Sequence, residues 1–232
     1  MKKIRPKKTI PFALGLLLLG GAALAQQPTA EDRVAALKSS LASSKTVLRQ
    51  FEWIETTTVL LKGEQKAQTQ ERCYYGADGN LQKVPVVAPA PAEKKRGLRG
   101  KIVENKKEEM SDYMKEAVAL VKRYLPPDPA KIDAVKSAGR LSVSPQPGNK
   151  VRLTLASYLK PGDALALEMN MADNTLASAN VTSKMDSDGA PVSLVVSFGK
   201  LDNGAVYEAK TILDAQGKEL RVTIENSGYR KM

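Results

Sequence analysis

The chain has 232 residues, of which 42% are hydrophobic, and its 36 basic and 25 acidic residues give a net charge of +11. It contains no histidine and a single cysteine, which excludes imidazole-based catalysis, imidazole metal ligands, thiolate metal clusters and an intramolecular disulfide. A chain of this length can bury an adequate apolar core without such links.

The first 25 residues have the three regions of a cleavable secretory signal peptide. Five basic residues come first, an apolar run at 10–19 follows, and the small residues Ala23 and Ala25 mark the cleavage site. The apolar run is shorter than the ~20 residues that a membrane-spanning helix needs. We therefore predict an exported protein, periplasmic and soluble after cleavage, with one domain over residues 26–232. Without the first 25 residues the net charge falls to +6.

The mature chain is predicted to begin with a helix and three strands. Thr29 and Asp32 form a capping-box pattern, and apolar residues recur near the helical period as far as Leu48. From about Phe51 the chain is rich in β-branched and aromatic residues, which predicts strands at about 51–61, 65–75 and 81–87.

A long basic loop and two helices are predicted next. Residues 88–103 contain two prolines and two glycines and have no sustained periodicity, which indicates a loop. A helix is expected from near Asn105 until Pro126 stops it. The pair Asp128-Pro129 is typical of a new helix start, and Gly139 ends that short helix.

The remainder of the chain alternates with period two and has turn residues every eight to twelve positions, which predicts about seven antiparallel strands. The predicted fold class is therefore α+β. We expect a large curved antiparallel sheet of about ten strands, an unclosed half-barrel, covered by two to three helices.

The order of these elements resembles the LolA-like superfamily of periplasmic lipoprotein carrier and sensor proteins, including the RseB-like fold. The likeness is most evident in segments 204–210 and 218–229. It implies an unclosed barrel whose helices act as a lid over an apolar cavity that accepts acyl chains.

Large or flexible apolar side chains are the candidates for lining such a cavity, since methionine adapts to irregular apolar shapes. Ordinary core packing explains them equally well, and the single tryptophan can instead anchor the first strand. The candidate ligand-binding residues are Trp53, Met110, Met114, Met169, Met171 and Phe198.

The predicted basic loop is a second candidate site. Its cations can contact an acidic envelope protein or an anionic membrane surface. No aromatic residues are interleaved with them, so we expect no nucleic acid partner, and a solvated loop is the ordinary alternative. The candidate residues are Lys94, Lys95, Arg96, Arg99 and Lys101.

Two short motifs and the single cysteine have structural explanations that suffice. Ser197 and Lys200 match a Ser-x-x-Lys pattern but occur at a strand end without companion motifs. The acidic segment 186–189 fits a hairpin turn better than a calcium loop. Cys73, within a strand, is typical of an inert buried residue. We predict no catalytic site, metal or cofactor, and therefore no enzyme.

Two functions are consistent with these features. The first is a periplasmic binding protein that shelters the acyl chains of a lipid or lipoprotein. The second is an envelope sensor or interaction protein that acts through the basic loop without a lipid ligand.

Overall fold

The computed structural model describes residues 30–87 and 98–232, and these residues form three α-helices, a short 3-10 helix at Gln216–Lys218 and ten strands. The helices are α1 (Ala30–Leu48), α2 (Leu98–Val121) and α3 (Pro129–Ser137). The strands are β1 (Phe51–Leu61), β2 (Glu64–Tyr75), β3 (Leu81–Pro85), β4 (Leu141–Gln146), β5 (Lys150–Ala156), β6 (Ala164–Asn170), β7 (Thr175–Lys184), β8 (Pro191–Lys200), β9 (Val206–Ala215) and β10 (Leu220–Lys231).

All ten strands form one antiparallel sheet in the order β3-β2-β1-β10-β9-β8-β7-β6-β5-β4. Neighbours in the sheet are neighbours in the chain, except that β1 pairs with β10. The sheet is not closed, and β3 and β4 are its edges. The predicted fold class is thus confirmed: an unclosed antiparallel half-barrel with helices on one face, with three strands before the long helix and seven after α3.

Alternation along the strands gives the sheet two different faces. We call the face covered by helices the inner face and the opposite one the outer face. Every second residue of β5 and β6 is buried on the inner face. Each Å² of apolar surface that is buried here contributes about 25 cal/mol of favourable free energy. This burial holds the helices on the sheet. The largest sealed side chains there include Leu153, Leu155, Leu165, Leu167, Met169, Val181, Val192 and Leu220.

Two helices complete this core. Residues spaced three and four apart on α2, together with Tyr124 just after it, are buried against the inner face, as are Ile132 and Val135 of α3. The α3 helix starts as predicted, because the Asp128 side chain caps it by accepting a hydrogen bond from the Ala130 amide at 2.9 Å. The buried residues on α2 are Tyr113, Ala117, Leu120 and Val121.

The start of α2 differs from the prediction. The helix begins at Leu98 and not near Asn105, so the end of the expected loop is helical. Gly100 indicated a loop, but one glycine costs a helix only about 1 kcal/mol, which a 24-residue helix can absorb. Arg99 and Lys101 therefore belong to α2.

Candidate functional site

The strand register shows which side chains of β1 lie on the inner face. Val59 of β1 packs against the core opposite Val222 of β10. Residues two and four positions earlier in β1 lie on the same face, so Glu55 is an inner-face residue. Glu55 pairs with Asn226 of β10 and with Glu71 of β2. This end of the inner face therefore carries acidic and amide side chains, which the core does not.

The candidate ligand residues divide into two groups by burial. Met169 is 1% exposed and belongs to the sealed core, and Trp53 is 7% exposed. The other four are only partly buried and pack against the edge of the core. We call the partly buried set to which they belong the apolar border: Val59, Leu61, Met110, Met114, Val118, Leu125, Leu141, Leu159, Met171, Phe198 and Ile224.

The apolar border includes one stripe of α2. Met110, Met114 and Val118 are four residues apart and therefore lie along one side of that helix. Val59 and Ile224 supply border residues from the neighbouring strands β1 and β10. Apolar side chains that stay partly exposed beside a sealed core can gain further burial from a bound apolar molecule.

Trp53 lies within an aromatic cluster on the inner face of β1. Its ring stacks on Tyr229 at a centroid distance of 5.4 Å and tilts against Tyr75 at 5.9 Å. Tyr229 also contacts Tyr207 at 4.4 Å. The indole Nε1 donates a 3.1 Å hydrogen bond to Asn226 Oδ1, so both the ring and the polar atom of Trp53 are engaged within the protein.

Two carboxylates adjoin this cluster. The Lys83 ammonium donates to Glu55, whose side chain is nearly buried. Glu208 is exposed by surface area, yet the surrounding protein removes enough water to raise the pKa of its carboxyl. The negative charge of Glu55 raises that pKa further, whereas Lys83 opposes the rise. Glu208 can therefore take up a proton more readily than an ordinary glutamate, and can accept a hydrogen bond when ionised.

Cys73 lies on β2 opposite Trp53 and Lys83 and is fully buried. Burial, followed by the charge of Glu55, raises the pKa of its thiol to about 11. The thiolate, which is the reactive form, is therefore scarce at neutral pH.

The remaining candidates are placed as follows. Lys94, Lys95 and Arg96, and the cleavage residues Ala23 and Ala25, lie outside the described residues. Arg99 and Lys101 are in the first turns of α2. Within the described residues, no helix is long and apolar enough to cross a membrane, and no group of three or more Asp, Glu or Cys side chains is placed to hold a metal ion.

The Ser-x-x-Lys pattern does not form a catalytic pair in the described structure. Ser197 is an exposed residue of β8, and Lys200 donates to Asp173 Oδ2 at 2.9 Å. The acidic segment at 186–189 is a turn between β7 and β8, in which Asp186 pairs with Lys160 at 2.6 Å. Lys200 and Asp186 thus each form an ion pair that ties neighbouring parts of the fold together.

Sequence reasoning singled out Trp53 but missed its neighbours Glu55, Tyr75, Glu208 and Tyr229. The spacing of Trp53 and Glu55, two residues apart in a strand, was a usable signal, because such residues share a face. The tyrosine of β10 and the glutamate of β9 had no such signal, since only the β1–β10 pairing brings them to Trp53.

No protein-family model matches the chain, and a comparison with curated proteins gives no significant match. Among solved structures, a LolA superfamily protein from Nitrosomonas europaea matches with 10% identity and a TM-score of 0.37, over 84% of this chain and 93% of that one. A DUF1329 family protein from Desulfovibrio piger matches with 7% identity and a TM-score of 0.33, over 83% and 93%. Both likenesses are weak, in sequence identity and in TM-score.

Proposed function

We propose that this protein is an exported, non-catalytic binding protein that shelters an acyl chain of a lipid or lipoprotein beside α2 on the inner face of its half-barrel. The observation that carries the proposal is the apolar border, in which large apolar side chains remain partly exposed next to a sealed core. Export rests on the signal-peptide pattern of the first 25 residues.

An acyl chain suits this border because its binding energy is additive along its length. Each buried methylene contributes about 0.8 kcal/mol, so covering six of them contributes about 5 kcal/mol before ordering costs. Met110 and Met114 can adjust their side chains to such a flexible ligand without disturbing the sealed core.

The experiment uses the mature protein, residues 26–232. Native mass spectrometry and lipid extraction look for lipid or acylated peptide that purifies with the protein, and a fluorescent fatty acyl probe measures binding directly. We expect near-unit stoichiometry and displacement of the bound lipid by the probe. Clean protein that also ignores the probe contradicts the proposal.

Matched variants locate the ligand. Met114→Gln places an amide in the apolar border and should weaken binding of the acyl probe by at least fivefold. Val195→Gln, on the outer face of β8 and 37% exposed, makes a comparable polar substitution away from the border and should leave binding unchanged. Equal effects of the two variants contradict binding at the border.

A second candidate function is an interaction protein that docks an acidic envelope partner through the basic residues 94–101. It is supported by the edge strand β3 and the residues after it, which precede that basic segment in the chain and expose the large hydrophobics Leu81, Val84, Val86 and Val87. Replacing Lys94, Lys95 and Arg96 with glutamate should abolish capture of the partner from envelope extracts and leave acyl-probe binding intact. If this variant loses acyl-probe binding but still captures the partner, the first function is favoured.

A further inference from the structure

A recess of about 220 Å³ opens at the end of the sheet where β1, β2 and β10 meet. It is lined by Glu52, Trp53, Ile54, Arg72, Gly228 and Arg230. An irregular register creates the space, because β10 has one more residue than β1 between the pairs 52–230 and 54–227. Gly228 has φ +65°, a conformation that favours glycine.

Two arginines are held at this recess by one carboxylate. Arg72 Nη1 donates to Glu52 Oε2 at 3.3 Å, and Arg230 Nε donates to Glu52 Oε1. The Glu52 side chain is 11% exposed, so it is a fixed anchor within the sheet. Arg72 also lies over the ring of Tyr74, at 5.5 Å from its centroid.

The guanidinium groups keep donors for a ligand. Each has five N–H donors in a planar fork, and the contact with Glu52 takes one from each arginine. The side chains of Arg72 and Arg230 are 46% and 76% exposed, so these remaining donors can reach a molecule that arrives from solvent. Two cations against one anion leave the recess with a net positive charge.

From this geometry we propose that the recess is a binding site for an oxyanion, a phosphate or carboxylate group, held between Arg72 and Arg230. Fork-shaped guanidinium groups match both anions in bidentate geometry. Ile54, on the same face as Arg72, supplies an apolar wall for the carbon atoms attached to the anion. The oxyanion comes either from a small free molecule or from the headgroup of an anionic lipid.

The site is independent of the acyl-binding proposal. Glu52, Ile54 and Arg72 lie on the outer face, because alternate residues of β1 and their partners on β2 face away from the helices. The apolar border is on the inner face. One proposal can therefore fail without the other.

Trp53 gives a fluorescence readout, since it borders the recess between Glu52 and Ile54 and is the single tryptophan of the chain. Inorganic phosphate is titrated into the mature protein at constant ionic strength, with chloride in a parallel titration. We expect a saturable change in tryptophan fluorescence with phosphate and none with chloride. Identical, non-saturating responses to both salts would falsify the site.

A matched pair of arginines on β10 tests the assignment. Arg230→Gln should weaken phosphate binding by at least tenfold. Because the Arg230 side chain is exposed, this substitution leaves the core intact. Arg221→Gln, which also removes a cation paired with a carboxylate, should leave phosphate binding unchanged. If both variants bind phosphate as the unmodified protein does, the recess is not the site.

Vesicles separate the two sources of the oxyanion. Sedimentation with phosphatidylglycerol vesicles, but not with phosphatidylcholine vesicles, that is lost in Arg230→Gln assigns the recess to a lipid headgroup. Saturable binding of phosphate without sedimentation assigns it to a free anion. Sedimentation that persists in Arg230→Gln, together with no response to phosphate, overturns the proposal.

Discussion

Tyr124 Oη donates a 2.6 Å hydrogen bond to Asp163 Oδ2 and so joins the segment after α2 to the loop between β5 and β6. Both residues are buried. The Asp163 carboxylate also accepts from the backbone amides of Leu159 and Lys160, and Ser183 Oγ lies 2.8 Å from the tyrosine hydroxyl. A buried carboxylate is tolerated here because its oxygens are satisfied.

Tyr124→Phe should therefore destabilise the fold by about 1–3 kcal/mol, the cost of leaving a buried charged acceptor without one donor. Urea denaturation followed by circular dichroism measures the change. Tyr74→Phe is the control, because Tyr74 contacts Arg72 through its ring, which phenylalanine retains. A loss of stability in Tyr124→Phe no larger than in the control would contradict the role of this hydrogen bond.

Cys73 should be almost unreactive in the folded protein. Raising the pKa of a thiol from 9.0 to about 11 lowers its thiolate fraction at neutral pH about 100-fold, and burial further blocks access. Reaction with an aromatic disulfide reagent, followed by absorbance, should be at least 100-fold slower in buffer than in guanidinium chloride. Equal rates in the two solutions would mean that β2 opens readily around Cys73.

Glu208→Gln should stabilise the protein at pH 7 by less than about 1 kcal/mol, because water around the exposed side chain screens its charge. The pKa of Glu208 is raised in the fold by burial and by Glu55, so the protonated form is favoured there. The stability that protonated Glu208 contributes is complete below the pKa of this group in the unfolded chain. It is lost as pH rises through the pKa of the group in the folded protein.

Denaturation curves at pH 4 and pH 7 test the predicted direction of this pH dependence. The difference between Glu208→Gln and the unmodified protein should be present at pH 7 and shrink towards zero at pH 4, where Glu208 itself is protonated. A difference of the same size at both pH values means that packing, and not ionisation, is responsible.

Glu168→Gln should have the opposite pH dependence. Burial alone would raise the pKa of Glu168, but hydrogen bonds and charge from Arg152 and Lys150 outweigh it and hold the pKa below its usual value. The resulting stability is present above the unfolded pKa and is lost as pH falls through the folded one.

At pH 7 we expect Glu168→Gln to cost about 1–2 kcal/mol, with the cost fading below about pH 4. Glu225→Gln is the matched control, since Glu225 also pairs with a lysine from a neighbouring strand but lies exposed to water. Its effect should be close to zero. Equal costs in thermal unfolding would show that burial of the Glu168 group adds nothing.

Most of the element order could be predicted because its signals are local. The alternation of residues 151–155 and 165–169 needs no knowledge of distant parts of the chain, and the Asp128-Pro129 start of α3 is equally local. The start of α2 was misplaced because Gly100 weakens a helix only slightly, and the rest of the helix compensates.

The sites were harder to predict, since they depend on pairing between distant strands. The alternation of β6 predicts that Met169 lies on the inner face. Whether it is fully buried in the core or partly exposed in the apolar border depends on which helix covers it. The Glu52 anchor gave no signal, because its partners Arg72 and Arg230 lie 20 and 178 residues away. Long-range register is therefore the part of the fold that local patterns leave open.

The pairing of β1 with β10 also has a consequence for the order in which the protein folds. Strands β4 to β10 can assemble from adjacent hairpins, each closing a short loop, whereas β1 must wait for a strand about 170 residues later, as the 173-residue separation of Trp53 and Asn226 shows. Contacts of such high sequence separation form slowly. We expect the seven-strand meander to act as the template and the β1–β3 unit to dock onto it late, so that Trp53 fluorescence reports the last step of refolding.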